Sequence, residues 1–305
     1  MTLEAQKNQF IGCECSFEEA RTVLFGAPYD STTSFRPGTR FGPAAMRMES
    51  FGIETYSPLQ DKDLCDDAKV FDSGDLELPF GAPEPALAMI EERAAQILAA
   101  GKRPFLLGGE HLVTLGAFRA VAKKYPDVVV IHFDAHADLR EDYLGNPLSH
   151  ACVLRRCHDL VGDGRIFQFG IRSGTRDEFQ FMKDGHVTTE PFADTTLAAV
   201  VSRIKQSEQH VLRSSSEGGS NNRTIPVYLT IDMDVLDPSE FPGTGTQEAG
   251  GFRYPQLVAD MRLICENLNV VGMDNVELNP GLDPTGRSTA LACKFLRECL
   301  LALAR

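Results

Sequence analysis

The chain has 305 residues, with 30 Lys and Arg against 43 Asp and Glu, and its formal charge of −13 argues against nucleic acid or an anionic membrane surface as the main partner. No apolar run approaches membrane-spanning length, and the N-terminal stretch lacks the basic and apolar regions of a signal peptide, so a cytoplasmic protein is expected. Eight cysteines without a CxxC pair suit reduced, mostly buried thiols better than a disulfide framework. Arg21–Gly26 reads as a first buried strand, followed by a loop with Pro28, Asp30, Pro37, Gly38 and Gly42; Pro43 then suits the first turn of a helix. Lys69–Asp72 reads as a second strand and 74–83 as loop. Leu87, Ile90, Ala94, Ile97 and Leu98 recur at helical spacing within Pro85–Ala100, which Gly101 ends. Further strands are expected at Pro104–Gly108, Val128–Phe133, Arg165–Gly170, Pro226–Ile231 and Asn269–Met273. Further helices are expected at Val113–Lys124, 149–157, 176–184, 194–208, 254–267 and 285–303.

This alternation predicts one α/β domain over 1–305, with a mostly parallel sheet covered by helices on both faces. The Ser-, Gly- and Asn-rich stretch 209–224 is expected to be a flexible surface loop within it. In such sheets ligands bind beyond the carboxyl ends of the strands.

Chemistry gathers at those ends. The apolar run Val128–Ile131 gives way to His132, Asp134, His136 and Asp138. Alternate side chains of an extended backbone share a face, so Asp134, His136 and Asp138 converge on one point. Carboxylates packed that closely call for a cation between them, although a satisfied polar strand end is the plainer alternative. Three other strands behave alike: Gly108-Gly-Glu-His111 follows one, Asp232-Met-Asp234 another, and Glu277-Leu-Asn-Pro280 a third. Two histidines with four aspartates suit two hard divalent ions, Mn²⁺ before Zn²⁺.

Gly108-Gly-Glu-His111, Asp134-Ala-His-Ala-Asp138, Asp232-Met-Asp-Val-Leu-Asp-Pro238 and Val276-Glu-Leu-Asn-Pro280 resemble the signature motifs of the ureohydrolase family of arginases and agmatinases. Pro37-Gly-Thr-Arg-Phe-Gly-Pro43 and Pro242-Gly-Thr-Gly-Thr246 resemble the agmatinase branch. The resemblance implies a three-layer α/β/α fold, two Mn²⁺ per chain, a hydroxide bridging them, and hydrolysis of a guanidino compound to urea and an amine. It places His111, Asp134, Asp138 and Asp232 on one metal and His136, Asp134, Asp232 and Asp234 on the other, with Asp134 and Asp232 bridging. It assigns Glu277 to the guanidinium and His150 to proton transfer to the leaving amine; Glu248 is expected to line the substrate pocket. Family members assemble as trimers or hexamers, so a homo-oligomer is expected. Glu110 and Ala137 depart from the usual Asp and Thr of the motifs.

The stretch Leu139–Pro147 lacks the Asn- and Ser-rich pattern by which arginases hold an amino acid's α-groups, which favours agmatine, a small cation, over arginine. Guanidinobutyrase, guanidinopropionase, arginase and formimidoylglutamase activities share the metal motifs, and a non-catalytic metal-binding member is a further alternative. A nucleotide-binding oxidoreductase would need a glycine pattern that is absent: Gly243-x-Gly245 runs on to Glu248, and Gly108-Gly109 to His111.

Overall fold

The computed structural model describes residue 3 and residues 8–190, 196–214 and 224–304. Its strands are β1 (Thr22–Ala27), β2 (Tyr56–Ser57), β3 (Lys62–Asp63), β4 (Val70–Asp75), β5 (Arg103–Gly108), β6 (Val129–Phe133), β7 (Ile166–Phe169), β8 (Thr188–Glu190), β9 (Pro226–Asp232) and β10 (Asn269–Val276). Its helices are α1 (Gly42–Glu49), α2 (Leu64–Asp67), α3 (Pro83–Ala99), α4 (Val113–Lys124), α5 (Val153–Val161), α6 (Arg176–Lys183), α7 (Thr196–Ser214), α8 (Tyr254–Asn267) and α9 (Arg287–Leu303). Eight strands form one sheet in the order β4-β1-β5-β10-β9-β6-β7-β8, and every pairing within it is parallel.

The strand pleat decides what each face carries. Val129, Ile131 and Phe133 of β6 and Val227, Leu229 and Ile231 of β9 enter one apolar layer, completed by α1, α7, α8 and α9. Val130 and Tyr228 enter the other, completed by α3, α4 and α5. Helix, sheet and helix thus make three layers, as the family resemblance implies. Among the described residues, no helix is long and apolar enough to cross a membrane. All eight cysteines are free thiols.

Two strands, β4 and β10, run well past their expected ends because their polar residues are buried and bonded rather than released to solvent. β4 continues past Asp72, which accepts from Phe10 N at 2.9 Å, Gly74 N at 3.0 Å, and Arg47 Nε and Nη2 at 2.8 and 2.9 Å. β10 continues past Met273 because Tyr228 Oη and Thr230 Oγ1 each donate to Asp274 at 2.7 Å. The expected helix at 149–157 opens with a 3₁₀ turn, His150–Cys152, before α5. The expected loop at 209–224 is corrected in part: α7 runs on to Ser214, since no glycine or proline interrupts it, and 215–223 lie outside the described residues. The β2–β3 hairpin, α2 and the short edge strand β8 were not expected from the sequence.

Asp72 joins the N-terminal segment, α1 and β4 through one buried carboxylate, so Asp72→Ala leaves Arg47 buried without its main counter-charge. The variant is expected to lose about 3–5 kcal/mol of stability in urea unfolding. A loss within 1 kcal/mol, roughly the range of exposed pairs, would show that the network is not structural.

Candidate metal centre

The polar strand ends meet because their strands are neighbours. β5, β10, β9 and β6 stand side by side at the middle of the sheet, and all end at the same edge. His111 follows β5, Glu277 follows β10, Asp232 and Asp234 end and follow β9, and Asp134, His136 and Asp138 follow β6. The turn after β5 needs its glycine: a Cβ on Gly109 would stand 1.9 Å from the carbonyl oxygen of Tyr29. That close approach lets Gly109 N bond Ala27 O and Glu110 N bond Tyr29 O, so the 28–38 loop is laid against the crevice.

The donors fall into two groups that share Asp134. In the first, His111 Nδ1 lies 3.1, 3.2 and 3.3 Å from the Oδ2 atoms of Asp134, Asp138 and Asp232. In the second, His136 Nδ1 lies 2.9 Å from Asp234 Oδ2 and 3.5 Å from Asp134 Oδ1. Asp134 therefore presents one oxygen to each group. Asp232 presents Oδ2 to the first, while its Oδ1 accepts the Asp234 N–H at 2.8 Å. Ala135 N and His136 N similarly hold Asp234 Oδ1 at 3.1 Å and Asp134 Oδ1 at 2.6 Å.

Hydrogen bonds behind the imidazoles fix which nitrogen is free. Thr230 Oγ1 donates to Asp274 Oδ1, so it receives His111 Nε2–H at 3.0 Å. A neutral His111 ring then turns a bare Nδ1 lone pair towards three anionic oxygens. That nitrogen is buried and has no directed hydrogen bond, an arrangement that is repulsive unless a proton or a metal ion intervenes. His132 is set differently: Gln168 Nε2 donates to its Nδ1 at 3.0 Å, so its Nε2–H donates to Asp134 Oδ2 at 2.8 Å. It orients a carboxylate and has no free nitrogen for an ion.

The electrostatics agree with a cation site. Burial drives the Asp232 carboxyl well above its ordinary range, reinforced by Asp234 and Asp134, and burial likewise raises Asp234. Burial opposes charge on His111 and His136, yet the surrounding carboxylates raise both imidazoles well above their usual pKa. Protons thus collect where positive charge is wanted, and the oxygen-rich donor set fits two hard divalent ions.

Beside these donors lies a cavity of about 260 Å³, lined among others by Ser34, Asp138, Arg140, His150, Thr246 and Glu277. Glu277 accepts His111 N–H at 2.7 Å, and the same oxygen lies 3.5 Å from His150 Nδ1. Asp138 and Glu277 both have positive φ, 53° and 65°, a left-handed conformation that L residues adopt at a cost of about 1–2 kcal/mol. Glu248 stands nearer the rim: its carboxylate is 3.9 Å from His136 Nε2 and its side chain is 40% exposed.

The sequence assigns no role to three parts of the site: Glu110, known there only as a motif departure, the hydroxyls of the 28–38 loop, and Arg172. Glu110 grips the 28–38 loop, accepting from Thr32 N at 2.9 Å and Thr33 Oγ1 at 2.9 Å; burial pushes its carboxyl up to about 7. This loop brings Ser34 N and Oγ each to 3.0 Å from His150 Nε2, while Thr32 Oγ1 accepts His150 N–H at 3.1 Å. Arg172 donates to the carbonyls of Asp234 and Glu248, both at 2.9 Å, which pins the segment after β9. The hydroxyl run Ser31-Thr-Thr-Ser34 was the available signal for the first two, and Arg172 gave none. Ala137, the other motif departure, is fully buried, and Gly174 packs against its Cβ.

Comparison with known proteins agrees with this geometry. The sequence profile of the arginase family matches residues 20–302. An agmatinase from Bacillus anthracis is 46% identical over 293 residues, 96% of this chain and 95% of that protein. A guanidinobutyrase from Pseudomonas aeruginosa is 34% identical over 92% of this chain and 86% of its own length. The crystal structure of the agmatine ureohydrolase of Thermoplasma volcanium superposes with a TM-score of 0.84 at 30% identity, covering 98% of this chain and 94% of that one.

Because the raised imidazole pKa values keep protons on the metal-free site at neutral pH, binding an ion must release them. Mn²⁺ affinity should therefore rise with pH. Titration calorimetry in two buffers of different ionisation enthalpy should report net proton release at pH 7. Uptake of protons, or none exchanged, would contradict this reading.

Proposed function

We propose that this chain, which belongs to the arginase family and to its agmatinase branch, hydrolyses agmatine to putrescine and urea, acting in the cytoplasm as a homo-oligomer. The coarser reading, a metal-dependent hydrolase of a guanidino compound, follows from membership together with the clustered His and Asp donors. The observation that carries the choice of agmatine is the charge around the cavity. Among the described residues lining it, Arg140 is the one Lys or Arg, and its Nε lies 3.6 Å from the buried carboxylate of Glu178 while its guanidinium rests 5.1 Å over Tyr143. An α-carboxylate entering there would meet Asp, Glu and two cations already engaged, Arg140 with Glu178 and His150 with Glu277. A second ammonium, as in agmatine, meets the complementary field.

When bound, two divalent ions, Mn²⁺ by the nature of the donors, would supply Lewis acidity and ionise water near neutral pH for attack on the guanidino carbon. The chain's own residues do the rest. Glu277 is held by His111 N–H and faces the cavity, where its carboxylate pairs with the planar guanidinium. His150 supplies the proton for the departing amine. Burial opposes its charge, but Glu277 foremost, with Asp138 and Glu110, raises it to about 9, so it carries a proton at neutral pH. Ser34 serves both of its states: its N–H donates to a bare Nε2, and its hydroxyl accepts from a protonated one, each at 3.0 Å. The ring can lose and regain its proton without leaving its place.

Steady-state assays with Mn²⁺-loaded protein should give a kcat/KM for agmatine at least about 10²-fold above that for arginine, the scale set by an unpaired buried carboxylate. Comparable values would overturn the assignment, and a preference for 4-guanidinobutyrate would move the far-end contact to Arg140. His150→Ala should keep both metals and lose about 10²–10⁴-fold in turnover. Undiminished urea release would leave His150 without a catalytic role.

A further inference from the structure

A second cluster of metal-ligating side chains lies at the far end of α5 from His150. His158, on the last turn of α5, places Nε2 2.8 Å from Asp163 Oδ1, and His186, in the loop before β8, places Nδ1 2.9 Å from the same oxygen. One carboxylate oxygen therefore receives two imidazoles. All three donor atoms lie within 4.8 Å of one another.

The cluster is built rather than casual. Gly162 N bonds the carbonyl of His158 at 2.7 Å and Gly164 N bonds the carbonyl of His186 at 3.1 Å, so the two residues flanking Asp163 are tied to the two histidines themselves. Both glycines take positive φ, 78° and 74°, which folds the turn so that Asp163 sits between them. Phe181 backs both rings: it stacks on His186 with centroids 4.3 Å apart and meets His158 edge-on at 5.0 Å. The imidazoles thus have restricted rotation before any ligand arrives, which lowers the entropy lost on binding.

We propose that His158, Asp163 and His186 form a peripheral zinc site, separate from the central donors. Two imidazoles and one carboxylate make the three-protein-ligand set that zinc accepts with water in its fourth position. With zinc–ligand distances of about 2.0–2.2 Å, tetrahedral donors stand roughly 3.4 Å apart, so each imidazole–carboxylate contact, now 2.8 and 2.9 Å, has to open by only about half an ångström. Asp163 is 64% exposed and His186 38%, which leaves room for that movement and for entry of the ion. The nitrogen-rich set favours zinc over manganese, the reverse of the central site, so the two sites sort ions by chemistry. A bound zinc clips the end of α5 to the loop before the edge strand β8.

Equilibrium dialysis of the full chain against zinc alone, with metal counted by mass spectrometry, tests this directly. The wild type should hold one zinc more than His186→Ala, because the central donors are identical in both. Asp163→Asn, which preserves shape and hydrogen bonding, should weaken that extra site at least about tenfold. In protein already saturated with Mn²⁺, zinc should raise the thermal midpoint of the wild type and leave both variants unmoved. Equal zinc counts in the three proteins, or equal thermal responses, would overturn the proposal and leave the triad as an ion pair only.

Discussion

Four aspartates have to share one water-poor crevice, and the middle of the molecule is arranged around that difficulty. Asp134, Asp138, Asp232 and Asp234 are all buried. Two unit charges 4 Å apart repel by about 4 kcal/mol at an effective dielectric of about 20, and several such pairs act together here. Hydrogen bonds from backbone N–H groups hold Asp134 and Asp234 from one side, but the opposing oxygens are aimed at His111 and His136. The crevice is stable as a collector of positive charge, whether protons or metal ions, and unstable as a set of bare anions. Parallel strands make the convergence possible, because all four neighbouring strands release their chains at the same edge.

The same constraint decides what was legible in the sequence. Apolar runs that end abruptly in Asp and His announce strands that enter a site, so β5, β6, β9 and their motifs could be read in one dimension. Their lateral order could not. β10 lies between β5 and β9 although the chain reaches it last, and nothing in the periodicity of Asn269–Val276 states which neighbours it will find. The sequence places the end of this strand at Met273, just before Asp274, for a related reason. A carboxylate inside a strand looks like its end, unless a tyrosine and a threonine on the next strand are known to face it. Residues 32–34 show the remaining limit, since a hydroxyl in a loop gains meaning only when the fold supplies its partner, here Glu110 and His150.

Two of the five non-glycine residues with positive φ among the described residues lie where the chain must turn a carboxylate back towards the donors. Asp138 and Glu277, each just beyond a central strand, occupy left-handed backbone that glycine would adopt freely. Glycine has no carboxylate to offer. The surrounding contacts fix both residues: Glu277 N bonds Gly109 O at 2.9 Å while its side chain accepts His111 N–H, and Arg155 N bonds Asp138 O at 3.1 Å. Side-chain chemistry has prevailed over backbone preference at these two positions, and secondary-structure propensity is a poor guide there.

The polar chain behind His111 shows how far into the core the site extends. Asp274 accepts from both Tyr228 and Thr230, so the Thr230 hydroxyl has its proton committed and only its lone pair left for His111. That directionality selects one imidazole tautomer and leaves Nδ1 facing the three aspartates. A valine in place of Thr230 would fill similar space, yet it would remove the acceptor and free the ring to turn its proton the other way. The tautomer of the fully buried His111 therefore depends on a carboxylate buried between the sheet and α4, and the apolar layer on that face is interrupted by polar groups for the sake of the site above it.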